Sequence, residues 1–100
     1  MIRHLILWQL KDEYSDEEKA GILENIKSHL EGLKGQVPGL TDIHVQICGL
    51  PSSSADAMLD SVLESADALA QYRVHPAHVH VADTYVRPFV KQRICMDFEI

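Results

Sequence analysis

The sequence predicts an α+β fold: a ferredoxin-like β-α-β-β-α-β protomer with one four-stranded antiparallel sheet. Three observations lead there. Segments of alternating apolar residues and segments of helical periodicity follow one another in that order. The second helical region is broken at Pro76, where proline suits a first turn but not a helix interior. The first strand, "IRHLILWQL", is apolar on both faces, which fits a strand covered on two sides.

In that first strand Ile2, His4, Ile6, Trp8 and Leu10 share one face, and Leu5 and Leu7 share the other with Arg3 and Gln9. "YSDEEKAGILENIKSHLEGLKG" is the clearest helix. Ser15 and Glu18 form a capping box, and acids crowd the first turn, where the helix dipole favours them. Leu23, Ile26, Leu30 and Leu33 recur at helical spacing as the buried stripe, and Gly35 is the expected left-handed C-terminal cap. "TDIHVQICGL" alternates again, with Ile43, Val45 and Ile47 opposed to His44, Gln46 and Cys48. The polar "PSSSAD" connects to a third strand, "AMLDSVLES", starting near Asp56, although its apolar content also suits a helix.

Ser65 is a suitable N-cap for "ADALAQYRV", which should end near Val74 or His75. A second short helix should run from Pro76 to about Val86, with Pro88 closing it. "KQRICMDFEI" is the last strand, placing Ile94, Met96, Phe98 and Ile100 on one face and Cys95 on the other.

The helices of such a protomer cover only one face of the sheet. Leaving even four apolar side chains wet on the other face would forgo roughly 6–12 kcal/mol. That rivals the whole stability of a small domain, so a homodimer packed through the sheet faces is expected.

The 100 residues are expected to form a single domain spanning 1–100. The net charge of −6 argues against nucleic acid or an anionic membrane surface as partner. The N-terminal apolar run, interrupted by His4 and Gln9, does not read as a signal peptide, and no stretch approaches bilayer length. Cys48 and Cys95 both fall in apparent strands and are expected to be buried thiols; a cytoplasmic location follows by default.

The segment "QYRVHPAHVHVADTY" concentrates the chemistry. As a metal site, His75, His78 and His80 fit poorly: His78 and His80 lie about 200° apart on an ideal helix, and the zinc-protease pair with its adjacent glutamate is absent. No metal and no cofactor are expected. As an acid–base site, Tyr72, His75 and His78 recur every three residues across a helix break. A neutral imidazole can take a proton, and a phenol can polarise a carbonyl or hold an oxyanion. His4 on the first strand, beside Ile6 and Trp8, could complete a pocket, with Asp97 orienting a pocket histidine. Packing alone accounts for the same positions: His75 as a helix cap, Tyr72 as a core aromatic, Asp97 as a sheet-edge charge. His29 and His80 are expected in solvent, and Asp83 with Arg87 as a surface helix pair.

"MIRHLILWQLKDE", "LESADALAQYRVHPAHVHVAD" and "ICMDFEI" together resemble the stress-responsive dimeric A/B barrel (Dabb) family over nearly the whole chain. The HP-x-H element formed by His75, Pro76 and His78, following Tyr72, is the most specific part of the resemblance. It implies a Dabb domain over 1–100 whose two sheets form a dimeric α+β barrel. By likeness to a plant polyketide cyclase of that family, His78 would be the base and Tyr72 would hold the substrate. His4, Ile6, Trp8, His75 and Asp97 would surround it. The chain departs from that cyclase at Ile26, Ala57 and Trp8, the last of which should shrink the pocket. The resemblance implies a pocket for a small, oxygenated, partly apolar molecule, with cofactor-free acid–base chemistry. Two alternatives remain beside it: a non-catalytic, stress-associated structural or ligand-binding dimer, and a haem- or oxygen-using barrel enzyme.

Overall fold

The computed structural model describes residues 1–100. Strand β1 (Ile2–Leu10) is followed by helix α1 (Asp16–Glu31), strands β2 (Leu40–Gln46) and β3 (Ala57–Leu63), and helices α2 (Ala66–Val74) and α3 (Pro76–Val81). A π-helical segment (Ala82–Val86) and a 3₁₀ turn (Arg87–Phe89) then lead into β4 (Val90–Glu99). The four strands form one sheet in the order β2-β3-β1-β4, and every neighbouring pair is antiparallel. This is the ferredoxin-like β-α-β-β-α-β arrangement read from the sequence. No helix is long and apolar enough to cross a membrane.

Local signals set the helix boundaries. Ser15 Oγ accepts from the Glu18 N–H at 3.1 Å, and Glu18 Oε1 accepts from the Ser15 N–H at 3.0 Å. The capping box therefore satisfies two otherwise unpaired donors. Ser65 caps α2 through the Ala68 N–H at 3.1 Å. The end of α1 differs from expectation. It stops at Glu31, with Gly32 as a right-handed cap, and Gly35 takes its positive φ of 85° in the turn beyond. Gly39, also at positive φ, lies so close to α2 that a Cβ there would stand 2.7 Å from the Ala68 Cβ.

The helix expected from Pro76 to Val86 is α-helical only as far as Val81. Pro88 explains this. An α-helix through it would lack a donor to the Thr84 carbonyl and would press the proline ring onto that carbonyl. The chain instead widens, and the Arg87 N–H reaches back five residues to the Ala82 carbonyl. Cys48 departs from expectation too. It lies past the end of β2, exposed and at φ 60°, while Cys95 is half-buried.

The helices pack on one face of the sheet. Ile26, Leu30 and Leu33 from α1 and the turn after it meet Val45, Leu59 and Leu63 from the strands in a single buried cluster. The opposite face is apolar and uncovered: Leu7, Ile94 and Met96 are 41%, 56% and 64% exposed. They adjoin one another because Leu7 pairs with Ile94, and Leu5 with Met96, across β1 and β4.

Candidate functional site

Strand parity brings the site together. His4, Ile6 and Trp8 point from β1 toward the helices, and the register sets Asp97, Cys95 and Arg93 of β4 directly beside them. The break between α2 and α3 supplies the other wall. His75 Nδ1 accepts from the Ala77 N–H at 3.1 Å, so His75 caps α3 and Pro76 opens its first turn. Tyr72, in the last turn of α2, and His78, in the first of α3, then face one another with ring centroids 4.3 Å apart.

These side chains surround a cavity of about 570 Å³, within the usual range for small-molecule sites. His4, Ile6, Trp8, Leu59, Tyr72 and His78 contribute to its walls. Trp8 leaves it open rather than filling it. Arg73, Arg87, Lys91 and Arg93 are exposed and line its solvent side. Of the residues expected to surround a ligand, His75 and Asp97 do not line the cavity. His75 is occupied as a helix cap, and Asp97 stands behind His4.

Hydrogen bonding fixes which atoms remain free. A carbonyl can only accept, so the 3.2 Å contact between His78 Nδ1 and the Arg73 carbonyl puts the proton on Nδ1. Nε2 is then the basic atom of a neutral His78. The Arg73 carbonyl is available because α2 ends there and its last carbonyls lack helical partners. His4 Nδ1 donates to Asp97 Oδ1, and Arg73 Nη2 donates to Asp97 Oδ2 at 2.7 Å. The Tyr72 residue is 1% exposed, and its hydroxyl has no protein partner.

Burial lowers the pKa of His4 below 6.5, against the opposing hydrogen bond and charge of Asp97. Burial likewise lowers His78 below 6.5, more than the Arg73 carbonyl raises it. Burial pushes the Tyr72 phenol well above its usual value. Asp97 is raised by burial, but the His4 hydrogen bond and its other partners outweigh this and hold it below 3.8. At neutral pH the cavity therefore presents neutral imidazoles and an un-ionised phenol. Such a set can accept a proton and donate a hydrogen bond to a developing oxyanion.

Three features were missed in the sequence. Arg73 and Arg93 join the cavity, and β-strand parity from Asp97 would have indicated Arg93. His4 Nδ1, Cys95 Sγ and the Asp97 carboxylate lie within 4.8 Å of one another, a combination of ligand types able to hold a metal ion. Here they engage one another, with Cys95 Sγ 3.5 Å from Asp97 Oδ1. His29, expected in solvent, stacks on Tyr85 at 3.7 Å between centroids. No spacing rule links those two positions, because the contact joins α1 to the π-helical segment.

Comparison with known proteins places these features in context. The family model described as "Stress responsive A/B Barrel Domain" (Dabb) matches residues 2–100. Olivetolic acid cyclase from Cannabis sativa is 25% identical over 100 residues, covering 97% of this chain and 94% of the relative. A dimeric protein of unknown function with a ferredoxin-like fold, from Bacteroides fragilis, superimposes with a TM-score of 0.92 at 25% identity, covering 99% of this chain and 95% of that one. A hydroxynitrile lyase from Passiflora edulis shares the fold, with a TM-score of 0.78 at 13% identity over 99% of this chain and 92% of the other.

Proposed function

The chain belongs to the stress-responsive A/B barrel (Dabb) family, and from that membership we propose that its cavity binds a small, oxygenated, partly apolar molecule and moves a proton on it. His78 Nε2 accepts the proton from a carbon next to a carbonyl. The Tyr72 hydroxyl donates a hydrogen bond to the oxygen on which negative charge develops. His4, held by Asp97, and the apolar Ile6 and Trp8 orient the substrate. A positioned base of this kind is worth about 10²–10⁴ in rate.

The observation that carries this reading is the Tyr72 hydroxyl, buried yet without a protein partner. Leaving such a group unpaired costs about 1–3 kcal/mol. A bound carbonyl oxygen would recover that cost, whereas a purely structural tyrosine would be served better by phenylalanine. The relatives named as a cyclase and a lyase favour chemistry in such a cavity.

The working unit is a homodimer, and residues 1–100 act in it as one Dabb domain. The uncovered apolar face of Leu7, Ile94 and Met96 is the surface through which two copies meet. The dimeric Bacteroides fragilis relative favours this assembly.

A thermal-shift screen with small aryl and acyl ketones tests the site. The expected result is a set of ketones that raise Tm in the wild type and bind about tenfold more weakly to Tyr72→Phe, the loss of one hydrogen bond. Ketones that bind Tyr72→Phe as tightly as wild type, or none that bind at all, would overturn the proposal.

A further inference from the structure

The chain carries 15 acidic residues against 9 lysines and arginines, yet the cavity has the reverse balance. Arg73, Arg87, Lys91 and Arg93 line it, and no aspartate or glutamate does. A mouth cut at random from this acidic surface would carry more carboxylates than cations.

Three of the four cations already have counterions. Arg73 Nη2 is 2.7 Å from Asp97 Oδ2, Arg87 pairs with Asp83, and Lys91 Nζ is 2.7 Å from Asp12 Oδ1. Arg93 has no carboxylate within ion-pair distance. It lies opposite Trp8 in the register, on the strand face that also carries Cys95 and Asp97. Burial is the main cause of the lowered pKa values of His4 and His78, but the Arg93 charge adds to both. The lining also includes the apolar Ile6, Trp8 and Leu59, and Tyr72, whose buried hydroxyl has no partner.

We propose that the ligand of this cavity is a monoanion, a carboxylate borne on an apolar body, and that Arg93 is its recognition residue. This rests on the reading of the cavity as a ligand site and names the class of molecule that site takes. The single free guanidinium matches one carboxylate rather than a dianionic phosphate, and its fork can engage both carboxylate oxygens. The apolar body lies against Ile6, Trp8 and Leu59, with its oxygenated end toward Tyr72. Electrostatic attraction at the mouth also selects anions against the net negative charge of the rest of the surface.

The test uses calorimetric titration of the full chain at pH 7.5 with 2-naphthoate, its neutral isostere 2-naphthamide, and 2-naphthyl phosphate. Naphthoate should bind at least about tenfold tighter than the amide, as a charge-assisted contact is worth. Added salt should narrow the gap. Arg93→Gln should abolish most of the gap, and Arg93→Lys should restore part of it. Arg93 is exposed, so both variants should fold. Equal affinity for acid and amide, or a gap that survives Arg93→Gln, would overturn the inference while leaving the cavity a ligand site. Tighter binding of the phosphate would overturn the assignment to a monocarboxylate. Failure of all three probes to bind would also overturn it, and the proton-transfer reading would still stand or fall on the His78 kinetics described below.

Discussion

Tyr72 and His78 stand 4.3 Å apart, ring centroid to ring centroid, across the break between α2 and α3. Pro76 makes the break, His75 caps the new helix, and the released Arg73 carbonyl holds His78 by Nδ1. The Tyr72 hydroxyl is the one fully buried polar atom of this group without a protein partner. Tyr72→Phe should therefore leave stability unchanged or raise it by up to about 1 kcal/mol, while weakening ligand binding and turnover. Urea denaturation beside a binding assay checks this. A stability loss above about 2 kcal/mol would mean that the hydroxyl serves the fold.

Asp97 bridges two neighbours, taking a hydrogen bond from His4 on one oxygen and from Arg73 on the other. Its charge opposes the lowering of the His4 pKa. Asp97→Asn keeps the shape and removes the charge, so the His4 pKa should fall further, with a stability loss of about 1–2 kcal/mol. An NMR titration of the imidazole C–H signals reads the first effect. An unmoved His4 pKa would show that the carboxylate does not act on it.

Stability should depend on pH in the direction set by two neutral histidines, His4 buried and His78 half-buried. Both His4 and His78 have folded pKa values below their ordinary 6.5, chiefly through burial. The unfolded chain therefore binds protons that the folded chain resists. Their contribution is complete above pH 6.5 and is lost as pH falls below it through the folded values. Asp97, held below 3.8 by its partners against the effect of burial, adds a further loss at lower pH, as it is protonated. Urea midpoints measured from pH 8 to pH 4 should be level above about pH 7 and then decline. A midpoint that stays level to pH 4.5 would contradict the neutral state of these rings in the folded chain.

The uncovered face predicts assembly. Sedimentation should give a dimer at micromolar concentration, and Met96→Glu should shift it toward monomer by at least about tenfold, since it places a charge among Leu5, Leu7 and Ile94. A wild-type chain that stays monomeric at micromolar concentration would remove the dimer.

Much of the fold was legible because its signals are local. Ser15 with Glu18, Ser65 and Pro76 each act on backbone groups within a few residues, so reading along the chain finds them. Strand parity showed which side of β1 carries His4, Ile6 and Trp8. The site was only partly legible, because its decisive relationships join distant segments. The register that sets Asp97 beside His4 depends on how β4 meets β1. The exclusion of His75 depends on its use as a cap, which a histidine before proline suggests but does not require. The π-helical segment arises from Pro88 acting backward on Thr84, and Cys48 left the sheet because β2 ended two residues earlier. The basic lining of the cavity is scattered over α2, the 3₁₀ turn and β4, so no run of charge announces it.

The most direct test of a proton-moving cavity is deuterium exchange at the methyl group of an aryl methyl ketone in D₂O, followed by NMR. His78 Nε2 would take the proton, Tyr72 would steady the enolate oxygen, and a deuteron from solvent would return by way of the imidazole. The account predicts exchange catalysed by the wild type and slowed at least about 10²-fold in a folded His78→Ala variant. Equal exchange by His78→Ala and wild type, or no catalysis by wild type of any ketone it binds, would contradict it.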